Sequence, residues 1–150
     1  MNIFFKKNTQ INEITITVEK NNKDREVEQL LIYLNDYDQY FNVLTVEKEN
    51  QIYKFHFTEI LWIEVIGDYT SIYTNTIQIR VRKTLQSIES ELPNNLFIRT
   101  SRNTLVNIKK IKKVERSFSG TMSATLLNDQ KIHISRKYWK NIKKRILDND

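Results

Sequence analysis

Cysteine is absent from this sequence of 150 residues, while glycine, proline and histidine occur only two, one and two times. Without Cys the chain has no disulfide framework, no thiol nucleophile and no thiolate site for zinc or an iron–sulfur cluster. Gly67 and Gly120 are too widely separated to form a GxxxxGK phosphate loop or a GxGxxG dinucleotide-binding turn. His56 and His133 are likewise too far apart for an HExxH zinc motif. These absences argue against an enzyme and predict no cofactor and no metal site.

Long apolar runs are also missing. The first ten residues, MNIFFKKNTQ, lack the apolar core of a secretory signal peptide. No other segment approaches the roughly 20 apolar residues with which a helix crosses a bilayer. We therefore expect a soluble cytoplasmic protein that does not insert into a membrane.

Positive charge is concentrated in the last third of the chain. The whole sequence has 24 Lys and Arg against 18 Asp and Glu, which gives a net charge of +6. Residues 97–150 contain 14 basic and 4 acidic side chains, whereas residues 1–96 are mildly acidic. A basic segment of this size favours a polyanionic partner, with nucleic acid ahead of an acidic membrane surface.

The first 42 residues predict one strand and one helix. Ile14, Ile16 and Val18 alternate with threonines, which is typical of a strand over residues 11–18. Residues 24–41 change to the spacing of an amphipathic helix, whose apolar positions are Val27, Leu30, Leu31, Leu34 and Phe41. We predict an extension over residues 1–42, which packs on the rest of the chain or pairs with a second copy, and a second domain over residues 43–150.

Short strands and tight turns are predicted for most of the chain after residue 43. The segments QIYKFHF and IQIRVR alternate between apolar and polar residues, and ILWIEV reads as a more fully buried strand. Turns are expected at Gly67-Asp68 and at Asn75-Thr76, which would connect neighbouring strands as hairpins. The predicted fold class is therefore mainly β, or α+β by count.

Two short helices interrupt this β pattern. Thr84 is the expected N-cap of a helix that Pro93 ends. Ser135 is expected to cap a final helix with a basic outer face, and its inward positions would be Trp139, Ile142 and Ile146. Because an exposed helix commonly carries lysines, this last helix is not by itself evidence for a recognition helix.

Residues 97–107, FIRTSRNTLVN, resemble a segment of the LytTR family of bacterial DNA-binding domains. The shared pattern is an aromatic residue, an arginine, a short polar triplet, then an apolar residue, Val and Asn. Gly120, the Asn128-Asp129 turn and the ending at residues 135–138 support the resemblance, which covers residues 43–147. It implies an elongated set of antiparallel β-sheets with short helices, here preceded by the N-terminal strand and amphipathic helix. The chain looks like the small stand-alone members of the family, which lack a receiver domain.

The resemblance also implies a mode of DNA binding. Family members bind repeats in promoter DNA and read major-groove bases mainly through loop side chains. Their polar triplet corresponds to Ser101, Arg102 and Asn103 here. The first triplet position is commonly His in the family and is Ser101 in this sequence, so the promoter sequence that is read is expected to differ.

Two further base contacts are implied outside the triplet. A second groove-entering element corresponds to Lys137, at the start of the last helix. A third contact corresponds to Tyr69 or Thr70, because the alignment is ambiguous by one residue in that loop.

The chemistry of these side chains suits the implied roles. Arg102 can donate two parallel N–H bonds to guanine, and Asn103 can pair with adenine, although an Asn in a turn often bonds its own backbone instead. Lys137 at a helix start could contact a base or a phosphate. Candidates for phosphate contacts are Arg99, Lys110, Lys112, Arg136, Lys140 and Lys143. Arg99 could instead have a structural role, as could Asn107.

Two other functions remain as alternatives. The basic C-terminal face could dock an acidic protein partner or a membrane surface, in which case no promoter fragment would be preferred over random DNA. An enzyme is the weaker alternative, since Glu64 and Asp68 are the only carboxylates close together near a polar turn. The sequence indicates double-stranded promoter DNA as the partner, possible homodimerisation through residues 1–42, and no small-molecule ligand.

Overall fold

The computed structural model describes residues 15–148, and for residues 36–41 it describes the backbone only. The chain divides into two units, residues 1–38 and residues 39–150. The division that the sequence predicts, between residues 42 and 43, stays a prediction.

The predicted helix over residues 24–41 is confirmed as α1 (Arg25–Phe41). The Asp24 carboxylate accepts a hydrogen bond from the Val27 backbone N–H (3.2 Å) and pairs with the Lys20 ammonium group (2.7 Å). The Lys20 contact holds the pKa of Asp24 below its usual value. Two acidic residues in the first turn add a favourable interaction with the helix dipole. The start of α1 is therefore defined by polar contacts.

The predicted strand over residues 11–18 is wrong for the part that the structure describes. Residues 15–18 are not in a strand, and Ile16 is largely exposed; residues 11–14 lie outside the described residues. Alternating hydrophobicity does not suffice for a strand, because its backbone N–H and C=O groups need a neighbouring strand. None of the described strands pairs with residues 15–18.

In the second unit, the first strands form a β-hairpin of β1 (Val43–Lys48) and β2 (Gln51–His56). Its two-residue turn, Glu49-Asn50, has positive φ angles of 52° and 60°, as the hairpin turn with two left-handed residues requires. One face of the hairpin is buried, and its apolar residues are Leu44, Val46 and Phe55. A short 3₁₀ turn at Phe57–Glu59 then leads into the main sheet.

A five-stranded antiparallel sheet forms the centre of this unit. Its strands are β3 (Ile60–Ile66), β4 (Tyr69–Thr74), β5 (Gln78–Val81), β6 (Phe97–Ser101) and β7 (Thr104–Asn107). Their order across the sheet is β5-β4-β3-β7-β6. The β3–β4 turn contains Gly67 at φ 61°, a left-handed conformation that Gly adopts without steric cost. Most of the apolar run of β3 is buried, because hydrophobic residues pack against both faces of the sheet at this strand.

Helix α2 (Leu85–Glu91) connects β5 to β6 and completes a first hydrophobic core. Thr84 is its N-cap, as predicted, because the Thr84 Oγ1 accepts a hydrogen bond from the Ser87 N–H (3.1 Å). The helix ends two residues before Pro93. The core combines α2, the β1–β2 hairpin and one face of the sheet, and includes Leu44, Phe55, Ile63, Ile72, Ile88 and Leu105.

A second sheet follows, with strands β8 (Ile111–Arg116), β9 (Met122–Leu126) and β10 (Lys131–Ile134) in the order β10-β9-β8. It leads to helix α3 (Arg136–Leu147). A second hydrophobic core lies between the other face of the five-stranded sheet, the second sheet and α3. It includes Leu61, Trp62, Ile98, Val106, Leu126 and Ile142.

Helix α3 agrees with the sequence except at its cap. Trp139 and Ile146 pack against the second core and Ile142 is fully buried, as predicted. Ser135 occupies the N-cap position, but its side chain makes no capping hydrogen bond. The predicted mainly β fold, with antiparallel sheets and short helices, is confirmed. Within residues 15–148, no helix combines the length and apolar character needed to span a membrane.

Candidate nucleic-acid interface

Two turns lie side by side at one edge of the five-stranded sheet. They are the β3–β4 turn, Gly67-Asp68, and the β6–β7 turn, Arg102-Asn103. Because β3 and β7 are antiparallel neighbours, the end of β3 lies beside the start of β7. The Val65 N–H donates a hydrogen bond to the Asn103 carbonyl (2.9 Å) and joins the two turns directly. We call this edge, residues 66–69 and 101–104, the Arg102 edge.

The Arg102-Asn103 turn is held by the hydroxyl of Ser101. The Ser101 Oγ accepts a hydrogen bond from the Asn103 N–H (3.1 Å) and donates one to Thr104 Oγ1 (3.1 Å). Arg102 and Asn103 are exposed. Among the described residues, no hydrogen bond or ion pair involves their side chains. The turn therefore presents a guanidinium and an amide to solvent, while the Ser101 hydroxyl is occupied within the turn.

Arg99, predicted as a phosphate contact, is engaged inside the protein. Its Nε and Nη2 donate to Glu89 Oε2 on α2 (2.9 and 2.6 Å), and its Nη1 donates to the Arg102 carbonyl. The hydrogen bond to Glu89 raises the pKa of Arg99. This geometry gives Arg99 a positioning role, because it ties α2 to the turn that carries Arg102.

The structure distinguishes the two candidates in the β3–β4 loop. Thr70 is only 2% exposed, and its hydroxyl donates to the Lys83 carbonyl (2.5 Å). Tyr69 is exposed at the Arg102 edge. Successive residues of a strand point to opposite faces, and here the face that carries Thr70 is the covered one. Tyr69 is therefore the accessible residue, and Thr70 is not available to a base.

Arg82, which the sequence analysis did not name, lies beside this edge. Its Nε and Nη2 donate to the Tyr69 hydroxyl (3.3 and 3.1 Å), and its guanidinium lies 5.2 Å from the centre of the Tyr69 ring. The hydrogen bond to Tyr69 raises the pKa of Arg82. A hairpin centred on Asn75-Thr76 already places Arg82 opposite Tyr69. The predicted turn therefore indicated this pair in the sequence.

The start of α3 is adjacent to the same edge. The Ser135 N–H donates to the Thr100 carbonyl at the end of β6 (2.8 Å). Arg136 and Lys137 follow and are exposed, and the Lys137 ammonium lies 5.6 Å from the centre of the Tyr138 ring. Lys137 is thus placed on the side of the molecule that carries the Arg102-Asn103 turn.

Other predicted phosphate contacts lie at the opposite edge of the sheet. The Ile108 N–H, just after β7, donates to the Leu96 carbonyl, just before β6 (2.8 Å), and β8 begins there. Lys112 and Lys143 line an apolar groove of about 460 Å³ between β8 and α3, and Lys112 is paired with Asp129 (3.1 Å). We call this opposite end of the sheet, where β7 ends and β8 begins, the Asn107 edge. The predicted residues on it are Lys110, Lys112 and Lys143, whereas Arg136 and Lys140 are in the first half of α3.

Asn107 is a structural residue. It is 1% exposed, and its Nδ2 donates to the Phe57 and Ile60 carbonyls (3.2 and 3.0 Å). Its Oδ1 accepts from the Lys109 N–H (3.1 Å). These three bonds fix the start of β3 and the end of β7. The last residue of the FIRTSRNTLVN pattern therefore stabilises the fold.

Glu64, weighed as part of a catalytic carboxylate pair, has a partner in the sheet. Its carboxylate accepts a hydrogen bond from the Tyr73 hydroxyl (2.8 Å). Burial, together with this bond, raises the pKa of Tyr73. Asp68 is exposed in the β3–β4 turn. The pair therefore does not resemble two carboxylates that share a pocket.

Comparisons with known sequences agree with this picture. A sequence model of the LytTr DNA-binding domain matches residues 50–147. The chain is similar to the sensory transduction protein LytR of Staphylococcus epidermidis, with 31% identity over 141 residues, which are 93% of this chain and 56% of that protein. It is also similar to an uncharacterized HTH-type transcriptional regulator of Staphylococcus aureus, with 26% identity over 97% of each chain. The chain spans only 40–56% of the LytR and LytT proteins that it matches first.

A solved structure shares the fold. It is a LytTr DNA-binding domain from Bacillus cereus, and the match has a TM-score of 0.63 at 22% sequence identity. The match covers 70% of this chain and 96% of that one. The shared fold therefore extends over nearly the whole of the solved domain.

Proposed function

Since this chain belongs to the LytTR family of DNA-binding domains, we propose that its Arg102 edge binds double-stranded promoter DNA sequence-specifically and thereby regulates transcription in the cytoplasm. The observation that carries the proposal is the meeting of the β3–β4 turn, the β6–β7 turn and the start of α3 on one side of the sheet. These are the three places where the sequence predicts base contacts.

The width of this edge suits a duplex. Five strands span four intervals of about 4.8 Å, or roughly 19 Å. That distance exceeds the width of one major groove, about 12 Å, and corresponds to some five or six base pairs at 3.4 Å each. Side chains at its two ends can therefore contact different parts of the same duplex.

We assign base reading to side chains that are exposed on this edge. Arg102 offers a bidentate donor pair for guanine, and Asn103 offers an amide for adenine. Lys137 and Tyr69 contact bases or the adjoining backbone on either side. Ser101 and Thr70 are not assigned base contacts, because their hydroxyls are bonded within the protein. Phosphate contacts are assigned to Arg82, Arg136 and Lys140.

The charges of this surface suit a polyanion. Within residues 15–148, no ion pair involves Arg82, Arg102, Arg136 or Lys137. Unpaired cations can neutralise phosphates and release the counterions that surround DNA, which drives binding at low salt.

Selection from a library of random duplexes tests the proposal. The full chain should enrich a defined sequence, and its affinity for that duplex should fall linearly on a log–log plot against salt concentration. If about six to ten phosphates are contacted, affinity drops by about 10³–10⁵ between 50 and 200 mM salt. Failure to enrich any sequence would instead favour the second candidate function.

That second candidate is the docking of an acidic protein partner. It is supported by the groove at the Asn107 edge, where an apolar floor is bordered by Lys109, Lys112, Lys113 and Lys143. An acidic amphipathic segment would place its apolar side chains in the groove and pair its carboxylates with the surrounding lysines. Affinity for DNA without any sequence preference is the outcome that this alternative predicts.

We also propose that α1 contributes to a homodimer. Ile32 and Tyr33 on α1 are 62% and 71% exposed, and two linked domains on repeated DNA sites gain effective concentration. Ile32→Glu should therefore shift the protein from dimer to monomer in sedimentation velocity. Ile52→Glu, at an isoleucine of β2 that is 70% exposed, is the matched control and should leave the sedimentation coefficient unchanged. A monomeric wild-type protein would contradict the dimer.

A further inference from the structure

The β8–β9 turn exposes an aromatic side chain completely. Phe118 has a relative exposure of 114%, the largest of the exposed apolar residues in the described part of the chain. An isolated exposed Phe contributes nothing to packing, and a solvent-facing turn would ordinarily favour a polar residue at this position. The Phe118 ring is therefore available to a ligand rather than needed by the core.

The turn that carries Phe118 is held by its own hydrogen bonds. The Ser117 N–H donates to the Thr121 carbonyl (2.7 Å), and the Gly120 N–H donates to the Ser117 carbonyl (2.9 Å). Gly120 has φ 79°, a conformation that favours glycine. The other residues of the turn have small side chains, and the hydroxyls of Ser117, Ser119 and Thr121 lie within 2.7–3.0 Å of one another. The result is a narrow polar turn with one apolar tip.

Strand register places this tip on the side of the Arg102 edge. Arg116 is opposite Met122, and Met122 is opposite Ile134. The next residue, Ser135, is bonded to the Thr100 carbonyl beside the Arg102-Asn103 turn. The other end of β8 begins at the Asn107 edge, so β8 runs from that edge toward the Arg102 edge. The β8–β9 turn consequently flanks the start of α3.

Charge around the tip favours an anionic partner over a basic or neutral one. Arg116 is exposed, and no ion pair of the described residues involves it. The neighbouring carboxylate, Glu115, is paired with Lys113 (3.0 Å) and Lys131 (3.6 Å). An apolar tip beside a free arginine can contact bases and a phosphate at once, as groove-inserting side chains do.

We propose that Phe118 enters a groove of the duplex next to the segment bound by Arg102 and contacts apolar base atoms there, while Arg116 binds the adjoining phosphate. The inference rests on the proposed function of the Arg102 edge. The apolar base atoms are either the 5-methyl group of a thymine in the major groove or the faces of a partly opened base step. Either contact would add sequence preference at positions outside those read by Arg102.

Affinity of the full chain for a selected duplex of about 30 base pairs, roughly three helical turns, tests the inference. Phe118→Ala should weaken binding by about tenfold or more. In the wild type the exposed ring leaves water when the DNA binds, and the variant loses this hydrophobic contribution. Leu127→Ala is the matched control, since Leu127 is 57% exposed and lies just after the other end of β9, where its N–H donates to the Lys110 carbonyl. It should leave affinity unchanged. Both side chains are exposed, so both variants should keep the unfolding midpoint of the wild type.

Two further measurements distinguish the base atoms involved. Replacing flanking thymines by uracil removes only the 5-methyl groups, and a tenfold loss would identify the methyl contact. An unchanged affinity, together with less DNA bending by Phe118→Ala than by the wild type, would identify the opened base step. In Phe118→Trp, the added indole fluorescence should be quenched by the duplex.

Equal affinities of Phe118→Ala and the wild type for the selected duplex would overturn the inference and leave the proposed function intact. Loss of self-association in Phe118→Ala with unchanged DNA affinity would also overturn it, because the tip would then contact protein. If no duplex is selected at all, the proposed function itself fails.

Discussion

Arg102→Ala should reduce the preference of the protein for its selected duplex over random DNA by about 1–3 kcal/mol, roughly 5- to 150-fold. The Arg102 side chain is exposed and has no partner among the described residues, so the variant should fold with wild-type stability. A bidentate Arg–guanine contact carries sequence information, whereas the lost charge weakens binding to all DNA alike. Dissociation constants for the selected and a random duplex, both measured at the same salt concentration, give the ratio.

Two variants separate charge from geometry in this experiment. Arg102→Lys keeps the charge but not the planar donor pair, so it should retain affinity for random DNA and still lose discrimination. Lys143→Ala, at the Asn107 edge, should leave the ratio of the dissociation constants for the random and the selected duplex unchanged. If Arg102→Ala preserved the full ratio, Arg102 would have no role in base reading.

Asn107→Ala should lower the free energy of unfolding by about 2–4 kcal/mol. The side chain is buried and bonds the Phe57 carbonyl, the Ile60 carbonyl and the Lys109 N–H. Its removal leaves buried backbone groups unsatisfied, each costing about 1–3 kcal/mol before relaxation. For a chain of this size, the melting temperature should fall by roughly 5–15 °C. Urea and thermal unfolding, followed by circular dichroism, measure both quantities.

Asn103→Ala provides the matched control for this prediction. Asn103 belongs to the same FIRTSRNTLVN segment, but its side chain is exposed and only its backbone groups are bonded. This variant should keep the unfolding midpoint and lose preference for the selected duplex. A stable Asn107→Ala variant would show that the three side-chain bonds are replaceable, and would contradict the structural role assigned to Asn107.

The local elements of the second unit were predictable, because short-range patterns define them. The hairpin turns at Gly67-Asp68 and Asn75-Thr76 lie where the alternating runs are interrupted, and Thr84 caps α2 through its own hydroxyl. These features depend on residues within a few positions of each other. The resemblance of residues 97–107 to a known family likewise concerned one continuous segment.

The arrangement of the site was not predictable, because it depends on pairing between distant strands. Nothing local indicates that β3 lies between β4 and β7. Strand β7 runs from the Arg102 edge to the Asn107 edge, which separates Lys110 and Lys112 from Arg102 although all three are close in sequence. The engagement of Arg99 by Glu89 on α2 is likewise a tertiary contact. Tyr69 and Thr70 could be distinguished only once the register fixed which face each occupies.

The absence of cysteine makes the most direct test of the DNA-facing surface possible. A single introduced Cys can carry a tethered iron chelate that cleaves nearby DNA. With the label on Asp68→Cys, in the β3–β4 turn of the Arg102 edge, the selected duplex should be cut at a few defined positions. With the label on Asn128→Cys, in the exposed β9–β10 turn at the Asn107 edge, it should remain uncut. Cleavage from Asn128→Cys and none from Asp68→Cys would contradict the assignment of the Arg102 edge as the DNA-binding surface.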